Sequence, residues 1–356
     1  MDWSGRRVLV TGHTGFKGAW LSRWLMRKGA EVHGFALPPD TNPSLFTALG
    51  DAGFASSTLA DVRDARAVAM AFEKARPEVV FHLAAQPLVL RAYADPKETF
   101  DVNVGGTVNV LEAVRAANGL RVLVNVTSDK CYENHEWERG YREDDALGGR
   151  DPYSASKGAA EIVFASYLRS YLAPCGIAAA SARAGNVIGG GDWAEARVVP
   201  DVIRALQAGE PVAVRRPNSI RPWQHVLEPL GGYLALAEAL WGDAAAYQGA
   251  WNFGPEAENE RTVAQLVDGL VRAWGSGRWD DRSDPSAPHE ATTLRLNIGK
   301  ARAQLGWAPR WGFERTIAET VAWYRAFAAG EPAGRWCDEQ LDAFALSAPS
   351  GSAGTR

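Results

Sequence analysis

The chain has 356 residues, 46% of them hydrophobic and 22% charged, with a formal net charge of -4. That length admits one large core or two parts sharing a cleft, and the slight acidity excludes a duplex nucleic-acid binder, which needs a basic field. Cys131, Cys175 and Cys337 form no CxxC pair, and no apolar run is long enough to span a bilayer; no disulfide framework, metal site or membrane partner is therefore expected, and a cytoplasmic location is. Residues 7–11 (RVLVT) read as a strand, 15–28 as a helix closing near Gly29, and 31–36 as a second strand. A third strand ends near Ala60, a fourth covers 79–83 and a fifth 121–127, with helices between them, notably at 97–118. A long helix follows at 153–171 and a strand at 177–183. Near-continuous apolar strands separated by helices predict an α/β fold with a Rossmann-like, doubly wound parallel sheet covered on both faces.

Beyond Gly185 the texture changes. Glycine, proline, arginine and tryptophan cluster at 185–193 and 215–224, with short elements interleaved, including 250–254 and 262–274. The expected division is a dinucleotide-binding part over residues 1–185 and a smaller mixed α/β substrate-binding part over 186–346, some of whose segments return to the main sheet. Residues 347–356 (SAPSGSAGTR) lack apolar periodicity and are expected to be disordered.

Gly12, Thr14, Gly15, Phe16 and Gly18 lie between the first strand and the first helix, in GxxGxxG spacing. Glycines there allow a tight turn and close backbone approach, and the helix N-terminus offers free N–H groups to a pyrophosphate. A dinucleotide fold calls for a carboxylate at the end of the second strand to hold a ribose. This chain has Ala36-Leu37, which leaves NAD against NADP open at this motif; no arginine stands there to meet a ribose phosphate, which favours NAD. Asp61 and Val62 follow the third strand, where Asp61 either meets an adenine edge or caps the next helix, a task Asp64 can also perform. Leu83, Ala84 and Ala85 end the fourth strand with small residues suited to a cofactor, and Gln86 beside them is assigned to the substrate. His82 reads as a core histidine.

Tyr153 and Lys157 (YxxxK) begin the 153–171 helix, and their spacing puts both on one face. A tyrosine titrates near ~10, and a neighbouring ammonium is expected to lower that value. The pair can then take a proton from a hydroxyl as hydride leaves its carbon. Thr127 and Ser128 end the fifth strand, Thr127 beside the cofactor and Ser128 as the third member of the set, and Asp129-Lys130 follow at the sheet edge where ligands bind in such folds.

These motifs, with TGHTGFKGAWL at 11–21, SDKCYEN at 128–134, DPYSASKGAAE at 151–161, ARAGNVIGGGDW at 182–193 and RPWQHVLEPL at 221–230, resemble the extended short-chain dehydrogenase/reductases. Within them they are most similar to the nucleotide-sugar 4,6-dehydratases, in particular those acting on CDP-glucose. The resemblance covers nearly the whole chain. It implies bound NAD, with Tyr153, Lys157 and Ser128 oxidising C4 of the sugar. It further implies Asp129 as the acid and Lys130 as the base of water elimination across C5 and C6, since 4-epimerases of this family carry small or neutral residues at those two positions. It places Asn186, Arg197, Arg204 and Arg221 around the nucleotide and pyrophosphate, and it implies a homodimer, possibly a tetramer, built from the helices at 97–118 and 153–171.

Overall fold

The computed structural model describes residues 1–284 and 293–348. Its strands, in chain order, are β1 (Arg7–Thr11), β2 (Glu31–Ala36), β3 (Phe54–Leu59), β4 (Val79–His82), β5 (Val122–Val126) and β6 (Ala178–Ala184). Four short ones follow, β7 (Val187–Ile188), β8 (Val212–Val214), β9 (Ile220–Pro222) and β10 (Gln224–His225), then β11 (Gly249–Phe253), β12 (Glu260–Thr262) and β13 (Trp279–Asp281). Seven strands form one parallel sheet in the order β11-β6-β5-β4-β1-β2-β3. The order reverses between β1 and β4, which opens a crevice beyond their carboxyl ends.

Alternate residues of each strand feed two cores. Val8, Val10, Val122 and Val124 pack with Trp20, Leu25, Leu230 and Trp251 on one face. Leu9, Val80 and Leu123 pack with Phe72, Leu111 and Phe164 on the other. Since both faces are covered, the central strands read as unbroken apolar runs. The chain rejoins the main sheet as β11, parallel to and next to β6.

Two predicted helices are interrupted. The one expected at 97–118 runs as Pro96–Phe100, a wide i→i+5 turn over Asp101–Gly105, and Gly106–Ala116. The one expected at 153–171 is Pro152–Tyr167 followed by a second wide turn, Leu168–Leu172. Such turns cluster at functional sites, and Asn103 in the first shows why: its amide takes the Gln86 N–H (2.8 Å) and donates to the Gln86 carbonyl (3.1 Å) and Ser156 Oγ (2.9 Å). The expected disorder of 347–356 falls outside the described residues from 349 on. Ser347 itself is held, its hydroxyl accepting from Trp311 Nε1 at 2.9 Å and donating to the Ala343 carbonyl at 2.8 Å.

Candidate active site

Every residue assigned from the sequence to cofactor, substrate or catalysis lines one cavity of about 1880 Å³ at the carboxyl edge of the sheet. A pocket for one drug-sized ligand holds roughly 300–1,000 Å³, so this volume suits two ligands side by side. Its floor is the loop after β1. A Cβ on Gly18 would stand 2.0 Å from the Gly12 carbonyl oxygen, and one on Gly12, whose φ is +78, would stand 2.8 Å from the Ala84 nitrogen. Loop, first helix (Phe16–Arg27) and β4 therefore close up only with glycine at those places. Gly15 precedes that helix with no capping side chain, leaving the first-turn N–H groups for a ligand. These features fit a dinucleotide pyrophosphate.

Around the loop several expected residues are already engaged. Thr14 donates to the Leu37 carbonyl at 2.8 Å. Thr11 Oγ1 accepts from the Leu83 and Ala84 N–H groups at 3.1 and 3.2 Å and contacts His82 Nδ1 at 2.7 Å, so His82 is a bonded core residue, pushed down to about 3 by burial. The cap of the helix Ala65–Ala75 is Asp64; Asp61 instead holds Arg63 through its N–H (2.8 Å) and guanidinium (2.5 Å). Gln86 lines the cavity, and its amide bonds Thr99 Oγ1 (2.8 Å) and the Leu88 N–H (2.6 Å), which also shapes this loop. After β2 the cavity is lined by Leu37, Pro38, Pro39 and Asp40, and the Asp40 charge acts on Arg197.

The reaction groups stand on two elements. Asp151 caps the helix Pro152–Tyr167 (Ser154 N–H to Oδ1, 3.0 Å) with Pro152 at its first position, which fixes where Tyr153 and Lys157 project. Ser128 caps the single turn Asp129–Cys131 and donates to Asp129 Oδ1 at 2.9 Å. Asp129 is 3% exposed; burial raises its pKa against the pull of Lys130, Ser128 and Arg221, and its Oδ2 has no partner among the described residues. Lys157 is brought down to about 8 by burial, with Glu161 and Cys131 acting the other way. Tyr153 departs from expectation. Burial pushes it up to about 12, outweighing the Ser128 hydroxyl and the Arg197 charge, so in the free protein it keeps its proton at neutral pH.

On the outer wall, Asn186 lines the cavity beside β10, its backbone carbonyl accepting the Gln224 N–H at 3.3 Å. Arg197 pairs with Asp192 at 3.0 Å, and Arg204 with Asp201 (2.5 Å) and the Trp193 carbonyl (3.0 Å). Arg221 lies deeper, and its charge reaches Asp129. Among the cavity residues the sequence reading did not assign is Lys17. Lys17 donates to Tyr233 OH at 2.8 Å, and burial, with Lys157 and Arg197, brings it to about 7. The signal was present as the lysine of GHTGFKG, where a helix-start residue between glycines gave no hint of facing the reaction groups.

A doubly wound parallel sheet with a glycine loop at its switch point and Ser128, Tyr153 and Lys157 around one cavity defines an extended short-chain dehydrogenase/reductase. Within that class the chain belongs to the nucleotide-sugar 4,6-dehydratases: the family model described as GDP-mannose 4,6 dehydratase matches residues 9–320. CDP-glucose 4,6-dehydratase of Salmonella typhimurium is 48% identical over 338 residues, covering 92% of this chain and 93% of the relative. A dTDP-glucose 4,6-dehydratase of Neisseria gonorrhoeae is 26% identical, covering 90% and 95%. Among solved structures, UDP-glucose 4-epimerase of Thermus thermophilus in complex with NAD superposes with a TM-score of 0.77 at 28% identity, covering 90% of this chain and 99% of that one.

Proposed function

We propose that this protein dehydrates CDP-glucose to CDP-4-keto-6-deoxyglucose with NAD as a returning cofactor. The observation that carries it is Asp129-Lys130 directly after Ser128 in the cavity, an acid and an amine that a 4-epimerase does not need. Gly12, Gly15, Phe16, Gly18, Val62, Leu83, Ala84, Ala85 and Thr127 would line the NAD site. The chemistry supplied by that cofactor is removal of hydride from C4 of the sugar and its return to C6. Tyr153 receives the C4 hydroxyl proton, helped by the Ser128 hydroxyl and the Lys157 charge. Lys130 takes the C5 proton, Asp129 delivers its proton to the C6 hydroxyl departing as water, and the Lys130 ammonium gives a proton back to C5 as hydride returns to C6. Burial raises the Asp129 pKa, which keeps it an acid to higher pH. Its unpartnered Oδ2 is a place for that proton. Asn186, Arg197, Arg204 and Arg221 supply hydrogen-bonding and cationic groups for nucleotide and pyrophosphate.

Residues 1–185 form the cofactor part in this reading and 186–346 mainly the substrate part. Three free cysteines fit a reducing cytoplasm, and no described helix is long and apolar enough to cross a membrane. A homodimer would bury Phe100, Ile162 and Tyr171, which are 37%, 59% and 45% exposed on or just beyond the two long helices. Sedimentation should return a dimer, and a monomer would remove this pairing.

The deciding experiment is incubation of the protein and NAD with CDP-, dTDP-, GDP- and UDP-sugars, followed by mass spectrometry. Loss of one water from CDP-glucose alone is expected. Water loss only from another nucleotide overturns the cytidine assignment, and an isomerised sugar without water loss overturns the dehydratase.

A further inference from the structure

Glu161 lies one turn beyond Lys157 on the helix Pro152–Tyr167 and is 2% exposed. It lies outside the cavity lining. Its Oε1 accepts from Thr127 Oγ1, and its Oε2 accepts from Ser181 Oγ at 2.8 Å and Arg183 Nη2 at 2.7 Å. Arg183 in turn donates to Tyr132 OH at 2.7 Å, and that hydroxyl donates to Asn252 Oδ1 at 2.7 Å. One buried carboxylate thus ties the helix of Tyr153 and Lys157 to Thr127 at the end of β5, to β6, and through Arg183 to β11. Thr127 is the residue before Ser128, so the same bond fixes the helix against the strand end that carries Ser128, Asp129 and Lys130.

Stability alone is a weak reason for such a pair, because apolar replacement of a buried ion pair is often neutral or stabilising. The charge has a second effect. The titratable groups around Lys157 are Tyr153 and Glu161 on its own helix, Cys131 in the turn after β5, Lys17 on the first helix and His82 on β4. Glu161 is the carboxylate among them, and it opposes the desolvation that strips charge from the lysine.

We propose that Glu161 is a positioning residue of the reaction centre: it sets the Tyr153–Lys157 helix against the Ser128 strand end and holds the positive charge on Lys157. This rests on the roles assigned above to Tyr153 and Lys157. The wild-type alkaline limb of kcat/KM should lie near pH 8, where Lys157 loses its proton. Glu161→Gln removes the charge at nearly constant shape, so the limb should move down by about one unit with the KM for the nucleotide sugar little changed. Glu161→Asp keeps the charge and should keep the limb even where kcat falls. A lower kcat at every pH with an unmoved limb overturns the proposal. Because Glu161→Gln leaves Arg183 buried without its carboxylate, the double variant Glu161→Gln/Arg183→Met provides a folded form, and its limb should move in the same direction; an unmoved limb there also overturns it. Competitive amine labelling of Lys157 across pH, read by peptide mass spectrometry, follows the same ionisation without turnover. A lowered labelling midpoint in a protein that turns over no nucleotide sugar would sink the functional reading and leave Glu161's role standing. An unchanged midpoint in an active enzyme would do the reverse.

Discussion

At the scale of single residues, Asp129 and Lys130 decide what the cavity can do. Oxidation at C4 needs only Tyr153, Ser128 and Lys157, but removal of the C5 proton needs a separate base, and the C6 hydroxyl leaves far more readily with a proton from an acid. Asp129 is bonded at Oδ1 and open at Oδ2, and burial favours its neutral form. Lys130→Ala should therefore retain C4 oxidation and stall before water loss, with the dehydration rate down by about 10²–10⁴-fold, the range usual for a lost general base. Rapid-quench mass spectrometry together with nicotinamide fluorescence would check this, and undiminished water loss would remove Lys130 from the mechanism. The raised Tyr153 fits the same picture. In the free protein burial outweighs the charges around it, so the proposed role of Tyr153 as a base requires that the bound cofactor and substrate bring its pKa down.

Among the elements, the first strand, its loop and the first helix are packed closely around their glycines. Gly18 touches the Gly12 carbonyl so closely that Gly18→Ala must push the helix away from the loop. That variant should bind NAD at least tenfold more weakly by calorimetry while keeping its far-UV circular dichroism; unchanged affinity would place the pyrophosphate elsewhere. This loop was legible in the sequence because glycine spacing is a local demand, and so were β1, β2, β4 and β5, whose apolar runs need only neighbours on both faces. YxxxK was legible for the same reason, since one helix turn joins its two members. What escaped depends on which partner each side chain takes, near or far along the chain. Asp61 is engaged by Arg63, and Gln86 is held by Thr99 and Leu88, choices that side-chain geometry makes and spacing does not reveal. Glu161 meets Thr127, Ser181 and Arg183 from two different strands. The wide turn at Asp101–Gly105 is likewise invisible in a helical pattern, because Asn103 is held there by Gln86 and Ser156.

For the whole molecule, the question is what holds the substrate part to the sheet while the cavity lies between them. One tie is Lys17 on Tyr233, joining the first helix to the helix Leu227–Gly242. A second is Glu228 at the start of that helix, fully buried, accepting the N–H groups of Arg310 (3.0 Å) and Trp311 (2.7 Å) just before the helices Phe313–Ala328 and Ala333–Ala345. Burial raises Glu228 to about 7 from an ordinary 4.5, against the pull of those two N–H groups and of Arg310 and Arg315. The folded state therefore holds this proton more tightly than the unfolded one. The stability it contributes is fully present below the unfolded value, and it is lost as pH rises through about 7. A shift of this size corresponds to about 3 kcal/mol between the two ends of that window. Glu228→Gln keeps an acceptor for the Arg310 and Trp311 N–H groups and cannot ionise. Thermal melts at pH 5 and pH 8 should therefore show a steeper loss of Tm in the wild type than in the variant, with the variant the more stable of the two at pH 8. Parallel losses would mean that Glu228 is already ionised in the folded chain and that its two backbone N–H bonds outweigh its burial.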